Sequence, residues 1–346
     1  MTKSEKGQLI TDYCNQYKTL PDLTLAKKIF KENPNVFTTV ETIRGKVRHR
    51  RGHSGENKRK IIVDKSNLKE LTYNTVYKPF KEVINTSAKV LILDIETAPI
   101  MAYTWGIWNQ NIQPSNIHTD WFCLTWAAKW LFEDKVYSAK LTSKEAIEQD
   151  DSRIMLGIWR LLNEADIVIA HNGQKFDLPK LNSRFIINKL HPPLPYQQID
   201  TLLHIRRQFG FTSNKLDYVN QLLNLPRKKE NDGMPLWIKC YKGDSKALKD
   251  MVDYNIEDVK ILEETYLRIR AWIKPHPNLG LFILDETESR CPTCGSNKLQ
   301  AEGKEYKTTA NSYEQFRCGN CGSVGRKRLG SLNIKQKRHL TMSVPK

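Results

Sequence analysis

Residues 90–97 read VLILDIET. Val90, Leu91, Ile92, Leu93 and Ile95 form a short apolar run of the kind that makes a strand buried on both faces. Side chains alternate along a strand, so Asp94 and Glu96 share one face. Two carboxylates held that close repel, and removing them from water costs on the order of several kcal/mol. Two readings are open. The strand ends at the surface and both acids are solvated, or a hard divalent cation such as Mg²⁺ or Mn²⁺ turns the repulsion into a binding site. The second reading requires more acids from elsewhere in the chain.

The chain has 346 residues, enough for two or three domains. Its hydrophobic content of 39% suits a folded soluble protein. Net charge is +17 and the pI is near 9.4. An enzyme of small metabolites has little need of that excess, whereas a polyanionic partner does. The basic charge is uneven. GKVRHRRGHSGENKRK (45–60) has Glu56 as its only acid, and Cys318 to Lys346 has no Asp or Glu while carrying GRKR (325–328) and KQKR (335–338). Either run alone reads as solvated surface. Flanking a carboxylate-rich centre, they read as phosphate contacts, with Arg326, Lys327 and Arg328 as candidates. No apolar run approaches the ~20 residues of a membrane span, and MTKSEKGQLI lacks a signal-peptide core, so a cytoplasmic protein without membrane contact is expected.

Residues 1–52 read as three helices: Ser4–Tyr17, Leu23–Glu32, and a third opened by Thr38 as N-cap with Glu41 completing a capping box. The third places Val40, Ile43 and Val47 inward and Arg44, Arg48 and Arg51 on another face. A basic last helix gives two readings, a helix-turn-helix-like module lying along a duplex or a small cap on the next domain. A basic linker follows over 53–88, with GHSGENKRK (52–60) at its start.

A mixed α/β domain is expected over 89–275. WFCLTWAAKWLF (121–132) and KVYSAKL (135–141) form a hairpin, and DIVIAHN (166–172) and QQIDTLLH (197–204) carry strands. Asp150–Ala165, residues 177–190, Leu216–Leu223 and Lys246–Ile273 are predicted helices. Trp105, Trp108, Trp121, Trp126 and Trp130 are assigned to core and hairpin packing rather than to base stacking.

Two further stretches bear on the opening acids. HNGQKFDLPKL (171–181) sits at a strand end and starts a helix at Asp177, where an Asp also serves as an ordinary cap. In DYNIEDVKILEETYLRIRAWI, from Asp253, Tyr254 and Asp258 are one helical turn apart, so a metal ligand and a hydroxyl can stand over one point. An acid on an ordinary helix surface is the alternative.

In this order, D-x-E, F-D and Y-x-x-x-D, the sequence resembles the DEDD 3′–5′ exonucleases of ribonuclease H-like fold, in the Tyr-bearing subclass. It is similar to the exonuclease domain of family B DNA polymerases and its stand-alone phage and bacterial relatives. DIET (94–97), HNGQKFDLPKL, IDT (199–201), KLDYVNQLL (215–223) and YNIED (254–258) carry the resemblance, over about residues 89–273. The subclass that uses His would need it at position 253, which is Asp253. The resemblance implies that Asp94, Glu96, Asp177 and Asp258 hold two Mg²⁺ or Mn²⁺ ions and that Tyr254 orients the attacking water. Asn172 and Phe176 would support the ligands or contact the strand. Asp200, Asp253 and Glu257 are not assigned as ligands. It also implies a bacterial or phage-infected host cell.

CPTC (291–294) and CGNC (318–321) form a C-x₂-C … C-x₂-C pattern separated by 23 residues. Cys291, Cys294, Cys318 and Cys321 therefore predict one structural Zn²⁺ in a zinc ribbon over 286–330, followed by a basic tail over 331–346. Cys14, Cys123 and Cys240 read as small buried hydrophobes. The ribbon could grip nucleic acid or dock a replication or recombination protein.

The sequence thus points to a 3′–5′ exonuclease with DNA favoured over RNA. Two alternatives stand beside it, a transposon- or resolvase-like endonuclease and a nucleic-acid-binding accessory protein with a vestigial core.

Overall fold

The computed structural model describes residues 2–18, 20–51, 84, 86–227, 232–283 and 288–343. The linker expected over 53–88 falls almost wholly outside them, as does the end of the basic tail. The chain divides into two compact units, Met1–Glu70 and Leu71–Lys346.

The first unit holds helices α1 (Lys3–Gln16), α2 (Asp22–Glu32) and α3 (Val40–Arg50). Ile10, Leu25, Ala26, Ile29, Phe37, Ile43 and Val47 form its core. The cap of α3 falls one residue later than expected. Thr39 is extended (φ −147°, ψ 152°) and its hydroxyl accepts from Thr42 N–H, so no box forms with Glu41, which pairs with Arg44 at 3.2 Å instead. Arg51 also departs from expectation. It caps the end of α3, is 7% exposed, pairs with Asp22 at 2.9 Å and donates to the Leu20 and Tyr17 carbonyls. The three fixed acceptors offset much of the cost of burying the guanidinium, so Arg51 fastens the module, leaving Arg48 exposed and Arg44 half-buried.

In the second unit β1 (Val90–Thr97), β4 (Cys123–Trp130), β5 (Val136–Lys140), β6 (Ile167–Ala170) and β7 (Gln197–Asp200) form one sheet in the order β5-β4-β1-β6-β7. The pairs β1–β4 and β4–β5 are antiparallel, while β1–β6 and β6–β7 are parallel. The short strands β2 (Met101–Ala102) and β3 (Ile117–Thr119) pair separately.

Alternation along β1 builds the two cores. Leu91, Leu93 and Ile95 enter one with α5 (Ser152–Glu164) and α6 (Asp177–Ile187). Val90 and Ile92 enter the other with α7 (Thr201–Gln208), α8 (Leu216–Leu223) and the second half of α10 (Ser245–Ile269), including Val259, Leu262 and Tyr266. Asp94 and Glu96 continue the face that α10 covers. A Lys129–Glu263 ion pair ties α10 to β4. Short helices α4 (Ser143–Glu148) and α9 (Met234–Tyr241) complete the domain; α9 was not anticipated from sequence.

Among the tryptophans, Trp126 fits the packing assignment. It is buried and donates to the Ile154 carbonyl at 2.7 Å. Gly157 makes room for it, since a Cβ there would meet the indole at 2.8 Å. Trp121 and Trp130 are half-buried. Trp105 and Trp108 contradict the assignment, at 101% and 83% exposed, because the segment between β2 and β3 projects from the sheet rather than joining it.

β8 (Leu299–Lys307), β9 (Ser312–Cys318) and β10 (Val324–Arg326) form an antiparallel sheet in the order β10-β9-β8, and α11 (Ile334–Arg338) follows. The sheet belongs to the same compact unit as the α/β domain. Leu279 N–H donates to the Pro292 carbonyl at 2.8 Å across their junction.

Candidate active site

β1 runs out of its parallel partner after Ile92, which pairs with Ile169. Beyond that point its acids stand at the sheet end over α10. Asp94 lies opposite Ala127 and Glu96 opposite Thr125, two small neighbours that leave room above them. Asp258 reaches the same place from α10, where it is 2% exposed. Ligand oxygens of Asp94, Glu96 and Asp258 all lie within 4.8 Å of one another. Three carboxylates in that volume repel strongly. Oxygen-only donors of this charge suit Mg²⁺ or Mn²⁺.

Asp177 is brought to the same strand but does not join that 4.8 Å group. It is the first residue of α6, buried, and its Oδ1 accepts the Ile95 N–H at 3.2 Å. It therefore meets β1 at the residue between the two acids, on a backbone donor that β6 no longer reaches. Tyr254 precedes Asp258 by one turn, and its ring meets Trp237 of α9 edge-on at 6.5 Å.

Several positioning groups were not anticipated. Asn255, fully buried, donates from Nδ2 to Asp94 Oδ2 at 2.6 Å, and Thr125 Oγ1 lies 3.4 Å from its Oδ1. An amide inside the apolar stripe of α10, directly after Tyr254, was the available signal. Asp200 receives N–H donors from Asn172, Gln174, Leu202 and Leu203. It shapes the turn that delivers Asp177. In that turn Asn172 has φ 74°, which Asn tolerates better than most residues. A Cβ on Gly173 would stand 2.5 Å from the Ala170 Cβ. His171 bridges Thr201 and the Asn214 carbonyl. Asp151 accepts two bonds from Arg184, at 2.6 and 2.8 Å, and one from Cys123 N–H at 3.0 Å, locking α5, α6 and β4 together.

Phe176 is 37% exposed beside Asp177. Glu257 pairs with Lys260 at 2.8 Å and Asp253 faces solvent. At the end of the C-terminal three-stranded sheet Arg326, Lys327 and Arg328 are exposed. Arg326 stacks 3.8 Å from the Tyr313 ring centre, and Lys327 pairs with Glu314 at 2.9 Å.

The Sγ atoms of Cys291, Cys294, Cys318 and Cys321 also lie within 4.8 Å of one another, and all four residues are buried. The neighbouring thiols, Cys291 foremost, hold the Cys294 thiol below the usual thiol range. Four soft donors at this spacing are compatible with one Zn²⁺. Cys123 and Cys240 are buried, and burial pushes both thiols up.

Residues 128–269 match a family model described as RNase_H_2, RNase_H superfamily. The match spans Asp177, Tyr254 and Asp258 and begins after the strand that carries Asp94 and Glu96. No curated protein matches the sequence. Among solved structures the chain is similar to the family B DNA polymerase of the hyperthermophilic archaeon Pyrobaculum calidifontis. Identity is 14% and the TM-score 0.40, with 68% of this chain and 32% of the polymerase covered. Among the described residues no helix is long and apolar enough to cross a membrane. The central domain, a mixed sheet with helices on its faces, is RNase H-like.

Proposed function

We propose that the protein is a metal-dependent 3′–5′ exonuclease that hydrolyses nucleic-acid phosphodiester bonds, DNA in preference to RNA. The observation that carries this reading is the meeting of Asp94, Glu96 and Asp258 within 4.8 Å. These residues, with Asp177 from the start of α6, would hold two Mg²⁺ or Mn²⁺ ions. When bound, such ions lower the pKa of an attacking water and stabilise charge on the phosphorane and the departing 3′ oxygen.

The chain's own groups orient the reactants. Tyr254 directs a water toward the phosphate from one turn above Asp258, with Trp237 holding its ring. Asn255 fixes the rotamer of Asp94. Asn172 and Phe176, flanking the Asp177 turn, contact the strand. Arg44 and Arg48 of the helical module, and Arg326, Lys327 and Arg328 of the ribbon, supply phosphate contacts. The zinc ribbon serves as a grip on nucleic acid or a dock for a replication or recombination protein, and the cytoplasm is the proposed compartment.

The test is degradation of 5′-labelled DNA and RNA strands with Mg²⁺, Mn²⁺ or EDTA. A ladder shortening from the 3′ end, absent with EDTA and in Asp94→Ala, is expected. Cleavage of a closed circle would point to an endonuclease instead. Equal inactivity of wild type and Asp94→Ala, with equal DNA binding, would leave only a binding protein.

A further inference from the structure

Residues 98–119, APIMAYTWGIWNQNIQPSNIHT, contain no Asp, Glu, Lys or Arg, in a chain that is 27% charged. The segment leaves β1 directly after the acids and returns through β3 toward β4. Its root is fixed at the acid-bearing end of the sheet. Ala98 N–H donates to the Phe122 carbonyl at 2.9 Å, Met101 pairs with Thr119, and Tyr103 N–H donates to the Asn116 carbonyl at 2.9 Å. Above that root Tyr103, Trp105, Ile107 and Trp108 stand 70%, 101%, 88% and 83% exposed. The loop is shaped by its own bonds. Thr104 Oγ1 donates to the Gly106 carbonyl at 3.0 Å, Gln110 Nε2 donates to the Trp108 carbonyl at 2.7 Å, and Asn109 sits at φ 51°.

Surface tryptophans singly exposed are ordinary, but two bare indoles with an isoleucine between them form a patch that asks for an occupant. Its chemistry narrows the choice. Indole faces stack on any base, because every base has a π-face. Asn109, Gln110, Asn111 and Gln113 offer both donors and acceptors, which suit base edges. The loop carries no cation for phosphates, so it fits bases rather than backbone. Base faces are available only where the strand is unpaired. Location agrees. Trp105 is nine residues beyond Glu96, so it lies no further than about 32 Å along the chain from the carboxylates. Beside Asp177, Lys180 stands 3.6 Å from the Trp121 ring centre and 5.1 Å from that of Phe176, placing a cation at the same end of the sheet.

We propose that Trp105 and Trp108 form a stacking platform for unpaired bases, so that the substrate is a single strand whose end lies at the carboxylates. The assignment of an end to that site rests on the nuclease reading; the binding itself does not.

The test measures anisotropy of a labelled short single strand and of the same sequence as blunt duplex, at one salt concentration, in EDTA, with full-length protein. Trp105→Ala and Trp108→Ala should each weaken single-strand binding roughly 10-fold, and the pair more, while Trp→Phe retains most of it. Duplex binding should not change. Single strand should quench tryptophan fluorescence in wild type and far less in the double Ala variant. Exposure of both side chains makes folding of the variants an ordinary expectation, checked by circular dichroism. Unchanged single-strand affinity in the double variant overturns the proposal. So does an equal loss for duplex, or quenching by phosphatidylglycerol vesicles but not by single strand. Metal-dependent cleavage is scored separately. If it survives in Asp94→Asn the nuclease reading fails while the platform stands; if the Trp variants bind normally but wild type cleaves, the reverse holds.

Discussion

Asn255 Nδ2 lies 2.6 Å from Asp94 Oδ2, joining the middle of α10 to the end of β1 through a buried amide. The bond faces a carboxylate that already has Glu96 and Asp258 as neighbours. Asn255→Ala should leave Asp94 free to turn and lower metal affinity or activity roughly 10- to 100-fold. Asn255→Asp should be worse, since it adds a fourth negative charge at the same point. Mn²⁺ titration by calorimetry, beside the cleavage rate, checks both; wild-type affinity in Asn255→Ala would show that the bond does not orient the ligand.

Removing one acid should separate activity from stability. Asp94→Asn or Asp258→Asn should cost orders of magnitude in cleavage rate, because the carboxylates act as a unit. In EDTA the same variants should melt no lower than wild type, since each relieves a like-charge contact. A marked fall in Tm would mean that the acids are structural partners rather than a site held open for cations.

The Asp151–Arg184 pair should behave in the opposite way. Asp151 is fully buried and its two oxygens are shared by Arg184, Asn188 and the Cys123 N–H. Arg184→Ala would strand that charge and destabilise the fold by about 3–5 kcal/mol. Denaturant unfolding measures this. A loss below about 1 kcal/mol would show that water solvates Asp151 once the arginine is gone.

His276 gives the stability a pH dependence. Burial holds its ring down to about 4, against 6.5 for a free histidine. Nε2 lies 3.0 Å from Tyr266 Oη and Nδ1 2.7 Å from the Pro277 carbonyl, which suits a neutral ring that donates at Nδ1. The unfolded chain binds the proton more tightly, so stability is full above about 6.5 and is lost as pH falls toward 4. The loss is on the order of 3 kcal/mol. His276→Gln should flatten this part of the Tm–pH curve; an unchanged slope would assign it to other groups.

Zinc should be countable. Purified protein is expected to release one Zn²⁺ per chain on thiol modification, and Cys318→Ser should release none. Because the cysteine-bearing segment is joined to the α/β domain by the Leu279–Pro292 hydrogen bond, chelation should also lower the main melting transition. A metal-free protein with an unchanged transition would overturn the site.

Local pattern made much of this molecule legible. The aliphatic run of β1, the hairpin of β4 and β5, the periodicity of α10 and the two C-x₂-C knuckles are properties of short stretches, and each appears where its stretch implies. Alternation also placed Asp94 and Glu96 on one face. What short stretches cannot encode is which face meets which helix. The meeting of Asp94 with Asp258 and Asn255, more than 160 residues apart in the chain, follows from α10 crossing the even-numbered face of β1. The burial of Arg51 depends on the ends of three helices converging, and the exposure of Trp105 and Trp108 on a segment that finds no strand partner. Residue type and spacing decide secondary structure and metal-ligand chemistry because those act over a few residues. Burial and the company of a charge are decided by packing, which only the folded chain contains.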